Sequence, residues 1–145
     1  MAAISVTAKN VRPLNGAIVR RWTAGASGTV GQVVYLNGST GATAAIATSV
    51  AAAQAKGLVV GVNGQPGQTS FAAGDALDVV TYGPVAAGSG MTPGALLYTS
   101  AVTAGAVDET APVAPTHVPY AVGYVEAATV MFVAPQSTLP VALSG

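Results

Sequence analysis

Gly57-Leu-Val-Val-Gly-Val-Asn-Gly64 decides how this chain is read. A short run of branched aliphatic residues closed by Asn-Gly is a strand ending in a tight turn, because Asn and Gly both tolerate positive φ. Similar runs lie on either side: Ala17–Trp22, Gln32–Leu36, Ala76–Tyr82, Pro84–Ala87, Leu96–Thr99, Tyr120–Glu126 and Thr129–Ala134. Two further Asn-Gly pairs, Asn15-Gly16 and Asn37-Gly38, stand next to such runs. Eighteen glycines and nine prolines cut the chain into pieces too short for long helices. Many short strands separated by turn residues predict an all-β fold, a single β-barrel or sandwich. The one helix expected is short, around Thr48–Ala55, where Ala, Gln and Lys have good propensity.

The strands carry an internal echo. Gly31-Gln-Val-Val-Tyr35 resembles Gly94-Ala-Leu-Leu-Tyr98, and Val59-Val-Gly-Val62 resembles Ala121-Val-Gly-Tyr124 at nearly the same distance downstream. Two related strand pairs in one barrel, each glycine permitting a bulge or bend, would produce this pattern. Chance likeness between apolar strands is the alternative.

Length and charge bound the function. A chain of 145 residues fits one domain better than two and can bury a core without staples. It has no cysteine, which excludes disulfides, thiol catalysis and Cys-based metal sites. Only 7% of its residues are charged, against roughly 25% in soluble domains, and the formal net charge is zero. Such a chain has no long-range field for nucleic acid, anionic lipid or a charged substrate. Low charge also removes a barrier to self-association, so much of the surface is expected to meet copies of itself or a larger assembly, with a neutral surface rich in Ser, Thr and Gly as the alternative. No stretch is long and apolar enough for a membrane-spanning helix, and the N-terminus lacks the basic and apolar regions of a signal peptide. Synthesis and use without Sec export, or release by lysis, are therefore expected.

No constellation for catalysis stands out, and no enzyme, cofactor or metal is predicted. His117, the lone histidine, sits in the Pro-flanked loop Ala114–Pro119 without a second histidine to share a metal. Asp75 and Asp78 could lie close together, but Gly74-Asp75 reads as a turn before a strand, where Asp bonds backbone; Asp108-Glu109 reads the same way. Phosphate-loop and nucleophile-elbow patterns are missing. The basic residues offer a partner site instead. Arg20, Arg21 and Trp22 stand together on a strand, with Arg12 shortly before, and alternation puts Arg20 and Trp22 on one face and Arg21 on the other. Arg and Trp are enriched in interface hot spots. The alternative is a core Trp22 flanked by solvated arginines.

A longer pattern runs through Gly31-Gln-Val-Val-Tyr35-Leu, Ala53-Gln-Ala-Lys56-Gly57-Leu-Val-Val-Gly61-Val and Gly74-Asp75-Ala-Leu-Asp78-Val-Val-Thr-Tyr-Gly83-Pro84-Val. It continues through Met91-Thr-Pro93-Gly94-Ala-Leu-Leu-Tyr98-Thr-Ser100, Ala104-Gly105, Val122-Gly123-Tyr124-Val and Ala128-Thr-Val-Met-Phe-Val133. In order and spacing these segments, from about residue 28 to 134, resemble the capsid decoration (cement, head-stabilising) proteins of tailed bacteriophages. The resemblance implies a structural protein of the virion, a β-barrel made in the host cytoplasm and bound to the outer capsid surface. Its partners would be the major capsid protein and itself, a homotrimer by preference, with no nucleic acid and no membrane. Capsid stabilisation would come from bridging capsid subunits. The implied layout is an N-terminal arm over residues 1–14 that reaches a neighbour, a barrel over 15–134 and a tail over 135–145; Arg12-Pro13 suits an extended arm, and a flexible terminus is the alternative for both ends. Phage tail, baseplate and fibre proteins contain related barrels and supply a second reading. A carbohydrate-binding module, with exposed aromatics on one face, supplies a third.

Overall fold

The fold, seen in a computed structural model that describes residues 4–144, is all-β. In chain order the elements are β1 (Arg12–Pro13), β2 (Ile18–Thr23), β3 (Gly28–Thr29), β4 (Val33–Asn37), β5 (Gly41–Ala44), α1 (Val50–Ala53) and β6 (Gly57–Val62). There follow β7 (Ser70–Phe71), β8 (Ala76–Ala86), β9 (Leu96–Thr99), β10 (Val107–Asp108), β11 (Ala121–Ala127) and β12 (Val130–Val133). The Gly57–Val62 and Leu96–Thr99 strands fall where the sequence puts them, and the others within a residue or so. One difference is instructive. The runs Ala76–Tyr82 and Pro84–Ala87 form one continuous strand, β8, because Gly83 takes φ +121° and the fixed φ of Pro84 suits extended backbone. The helix keeps only Val50–Ala53, capped by the Ser49 hydroxyl accepting from Ala52 N at 3.2 Å.

The turns follow their chemistry, with one exception. Asn63 and Gly64 both take positive φ (53° and 65°), and the Asn63 side chain accepts from Ala76 N. At Asn37-Gly38 the loop is longer than a two-residue turn: β5 begins only at Gly41 (φ +117°), and Asn37 Oδ1 accepts from Ser39 N at 3.0 Å.

The echo is built into the sheet. Its strand order is β10-β9-β11-β12-β8-β6-β4-β5, so β5-β4-β6-β8 and β10-β9-β11-β12 repeat one arrangement and join where β12 pairs with β8. The register shifts in β6 between Val59 and Gly61 and in β11 between Ala121 and Gly123, at the two echoed glycines. β8 serves both halves: Leu77–Val80 pair with β6, and Gly83–Ala86 pair with β12. Its other edge carries β2 along Ala76–Tyr82 and β1 at Val85 and Ala86. The sheet curls back on itself where Ala24, next to the end of β2, bridges Ala42 on β5. Buried Val34, Leu58, Val59, Val62, Leu77, Val79, Val80, Val85, Leu97, Val125 and Met131 form the core.

Residues 4–14, expected as part of an N-terminal arm, pack along the sheet of their own chain, and Met1–Ala3 lie outside the described residues. Ile4 N donates to Val107 O at 2.8 Å, Ser5 bridges Ser89, Val11 is buried, and Leu14 N donates to Pro84 O. The cause is apolar periodicity: Ile4, Val6 and Ala8 pack on the core, leaving the polar residues between them outside. The tail is tied down too. Leu143 N donates to His117 O, Thr116 N to Leu143 O, and the Gln136 side chain accepts from Ala121 N at 2.8 Å; Gly145 lies outside the described residues. Tyr120, fully buried, donates its hydroxyl to Gln136 O at 3.1 Å and accepts from Lys56 Nζ at 3.2 Å, so the tail, the helix end and the second half share one polar contact.

Candidate interaction face

The residues singled out in the sequence separate into different environments. Arg21 lies opposite Asp78, with Nε 3.2 Å from Oδ1, the one ion pair among the described residues. Both side chains reach solvent, so the pair contributes little to stability. Trp22 is half-buried and packs on the core, while Arg20 beside it is exposed. Arg12 lies away from them on β1, opposite Ala86, and is exposed.

The carboxylates serve the backbone. Asp75 Oδ2 accepts from Ala72 N at 2.9 Å and Asp108 Oδ1 from Thr110 N at 3.0 Å, the turn role that their sequence context predicts, while Glu109 Oε2 accepts from Thr92 N at 2.6 Å and ties two separate loops together. Among the described residues no three His, Cys, Asp or Glu side chains come together as a metal site would need.

A face that the sequence reading missed lies on the second half of the sheet. Directly opposite residues on neighbouring strands point the same way. Leu96 lies opposite Tyr124, Tyr124 opposite Phe132, and Phe132 opposite Pro84. Tyr82, two residues before Pro84, points the same way and lies opposite Ile18. The Tyr124 and Phe132 rings stack at 5.1 Å and 13°, and Tyr82 meets Phe132 edge-on at 5.1 Å and 90°. Ile18, Tyr82, Leu96 and Tyr124 are 54%, 52%, 52% and 39% exposed, so an apolar row crosses five strands, β2-β8-β12-β11-β9, in open solvent.

The first half shows why this row is bare. The echo counterparts of Leu96 and Tyr124 are Val33 and Val62, at 2% and 0% exposure; Val33 faces the interior beside Leu97, Met131 and Val133, while Val62 lies beside an inserted segment. There β6 and β8 are joined by residues 63–75, which carry β7, pair it with β3 and line a cavity of about 300 Å³ together with Val30 and Val62. In the second half β11 and β12 are joined by Ala128-Thr129 alone. With no inserted segment to cover it, the outer face of the second half stays open.

Charge frames the row sparsely. One register row along, Arg12, Ala86, Val130 and Ala127 lie side by side, with Glu126 at the bulge next to Ala127. Arg12 and Glu126 are both exposed, and neither has an ion-pair partner among the described residues. Three strand spacings separate β1 from β11, about 14 Å. The arrangement can hold a protein surface by apolar contact and orient it by two opposite charges. Comparison with protein-family models, curated proteins and solved structures finds no match to this chain.

Proposed function

We propose that this chain is a structural protein of a bacteriophage virion, a decoration protein that binds the outer surface of the mature capsid and stabilises its lattice. The observation that carries the reading is the open apolar row from Ile18 to Leu96 on a barrel with few charges. Contiguous exposed apolar surface of this kind marks contact with other proteins. The polar groups support binding over chemistry, since four of the five acids are occupied by backbone N–H groups or by Arg21. The order and spacing of the strand segments between residues 28 and 134, which resemble decoration proteins, supply the virion context. In this reading the protein adds buried interface to the assembled shell alone, and a ligand that binds only the assembled state stabilises it by mass action.

A carbohydrate-binding reading gains one observation, the grouping of Tyr82, Phe132 and Tyr124 on one face. Against it, the rings are engaged with one another, and the side chains nearest them on the flanking row, Ala86 and Val130, are apolar, with Arg12 and Glu126 only at the row's ends.

Purified chain added to mature shells that lack it should raise the shell's melting temperature. At a hundredfold excess over Kd the expected gain is about 2.7 kcal/mol per site. Shells that melt at the same temperature with and without the chain, over the whole titration, would overturn the decoration role.

A further inference from the structure

The geometry points to a second copy of this chain as the occupant of the open row, docked face to face about a twofold axis that crosses the row between Tyr82 on β8 and Phe132 on β12. This inference rests on the reading of the row as a protein-binding face and names what it binds. Three observations carry it.

The first is symmetry of charge. A twofold lying in the plane of the interface, across the row, exchanges its two ends. Arg12 stands on β1, one strand to one side of β8; Glu126 stands on β11, one strand beyond β12 on the other. Both lie to the same side of the row, so that rotation sets Arg12 of each copy against Glu126 of the other. Residue i meets j and j meets i, as an isologous contact requires. Two charges without an ion-pair partner among the described residues of one copy thereby find one in the dimer.

The second is the pattern of apolar contacts. The same rotation lays Ile18 and Tyr82 of one copy on Tyr124 and Phe132 of the other, with Leu96 at each end of the contact. A ring of three copies would need the row to meet a different patch. The remaining large exposed apolar side chains, Val19, Leu36, Val102, Val113, Leu139 and Val141, stand on β2, on β4, on loops and on the tail; Val102 and Val113 share a recess, and a ring of three would have to seat the row there. The twofold therefore departs from the trimer that the resemblance implies.

The third is size. The row offers an apolar area on the order of 400 Å², within the range of patches that serve as interfaces but about half of what each partner buries in a standard complex. With the Arg12–Glu126 row as its rim, the contact suits a dimer of about micromolar Kd.

Sedimentation of the full chain alone, from low micromolar to submillimolar concentration, tests this. A reversible monomer–dimer equilibrium is expected. Tyr82→Ser combined with Tyr124→Ser, both at exposed positions, should leave the circular dichroism unchanged and abolish the dimer. Arg12→Glu and Glu126→Arg, each alone, should loosen the dimer about tenfold by setting like charges together at both ends, and the double variant should restore it. Restoration is specific to the exchanged ends. A monomer throughout, a trimer, or a dimer that ignores these substitutions would overturn the inference. If the chain stays monomeric but the tyrosine variant no longer stabilises shells, the face belongs to the shell protein, and the decoration role stands while the dimer falls. If the dimer forms and shells are not stabilised, the dimer stands and the role falls.

Discussion

A chain shortened by removal of residues 1–14 is expected to melt about 10–20 °C below the intact protein, or not to fold. A free arm would be dispensable for folding. The segment from Ile4 to Leu14 is not free: Val11 is buried, Ile4, Val6 and Ala8 pack on the core, and Val6 and Val11 sit directly over Gly31. Burial of Val11 together with the partial burial of Ile4 and Val6 corresponds to about 4–5 kcal/mol, a large share of the roughly 5–15 kcal/mol of a typical domain. Removal also bares the edge of β8 at Val85 and Ala86 and leaves Val107 O and Pro84 O without their donors. Thermal unfolding followed by circular dichroism measures the effect. An unchanged melting temperature would restore the arm and contradict the packing described here.

Gly123→Ala is expected to cost about 3–5 kcal/mol, while the same change at its echo partner, Gly61→Ala, costs less than about 1 kcal/mol. Both glycines mark register shifts, but their surroundings differ. Gly123 has φ +157°, and a methyl group there would run into Phe132 O and meet Phe132 C at 3.0 Å and Ala134 N at 3.1 Å, all backbone of the segment paired with it. Relief requires parting β11 from β12, including the Gly123–Val133 pair and the bond from Ala134 N to Val122 O. At Gly61 the nearest atom would be Asp78 Oδ2 at 3.2 Å, the end of a side chain that can swing aside. Urea midpoints of the two variants decide the matter; equal shifts would mean that the glycines are interchangeable and that the second half is not locked at Gly123.

The strands were legible because valine-rich runs bounded by Gly and Asn-Gly have few other solutions. The two-residue strands Arg12–Pro13, Gly28–Thr29, Ser70–Phe71 and Val107–Asp108 were not, since pairing imposed from elsewhere in the chain leaves no periodicity in two residues. Gly41–Ala44 was hidden for another reason: Gly-Ala-Thr-Ala has little strand propensity and is held by β4. The echo read correctly because a glycine at a bulge leaves its mark at a fixed place in both halves.

The candidate face was harder to read. Attention to Arg20, Arg21 and Trp22 followed residue type, yet Trp22 packs inward and Arg21 is taken by Asp78. Arg12 alone among them borders the open row. A signal for the row did exist. Val130-Met-Phe-Val133 and Leu96-Leu-Tyr98 are unbroken apolar runs in antiparallel strands, where a solvated face calls for alternation. Such a run says that both faces are covered. In the first half residues 63–75 lie beside the end of β6 at Val60–Val62; in the second the two-residue β11–β12 turn leaves the cover to come from outside. Sequence alone does not tell these cases apart, because the difference lies in which half an insertion folds over.

The measurement that tests the decoration role most directly is the copy number of this chain in purified virions, by quantitative mass spectrometry against the major capsid protein. Copies in a fixed, near-stoichiometric ratio to the shell subunit are expected. A few copies per particle would place the chain in the tail or fibre, and its absence from virions would contradict the account altogether.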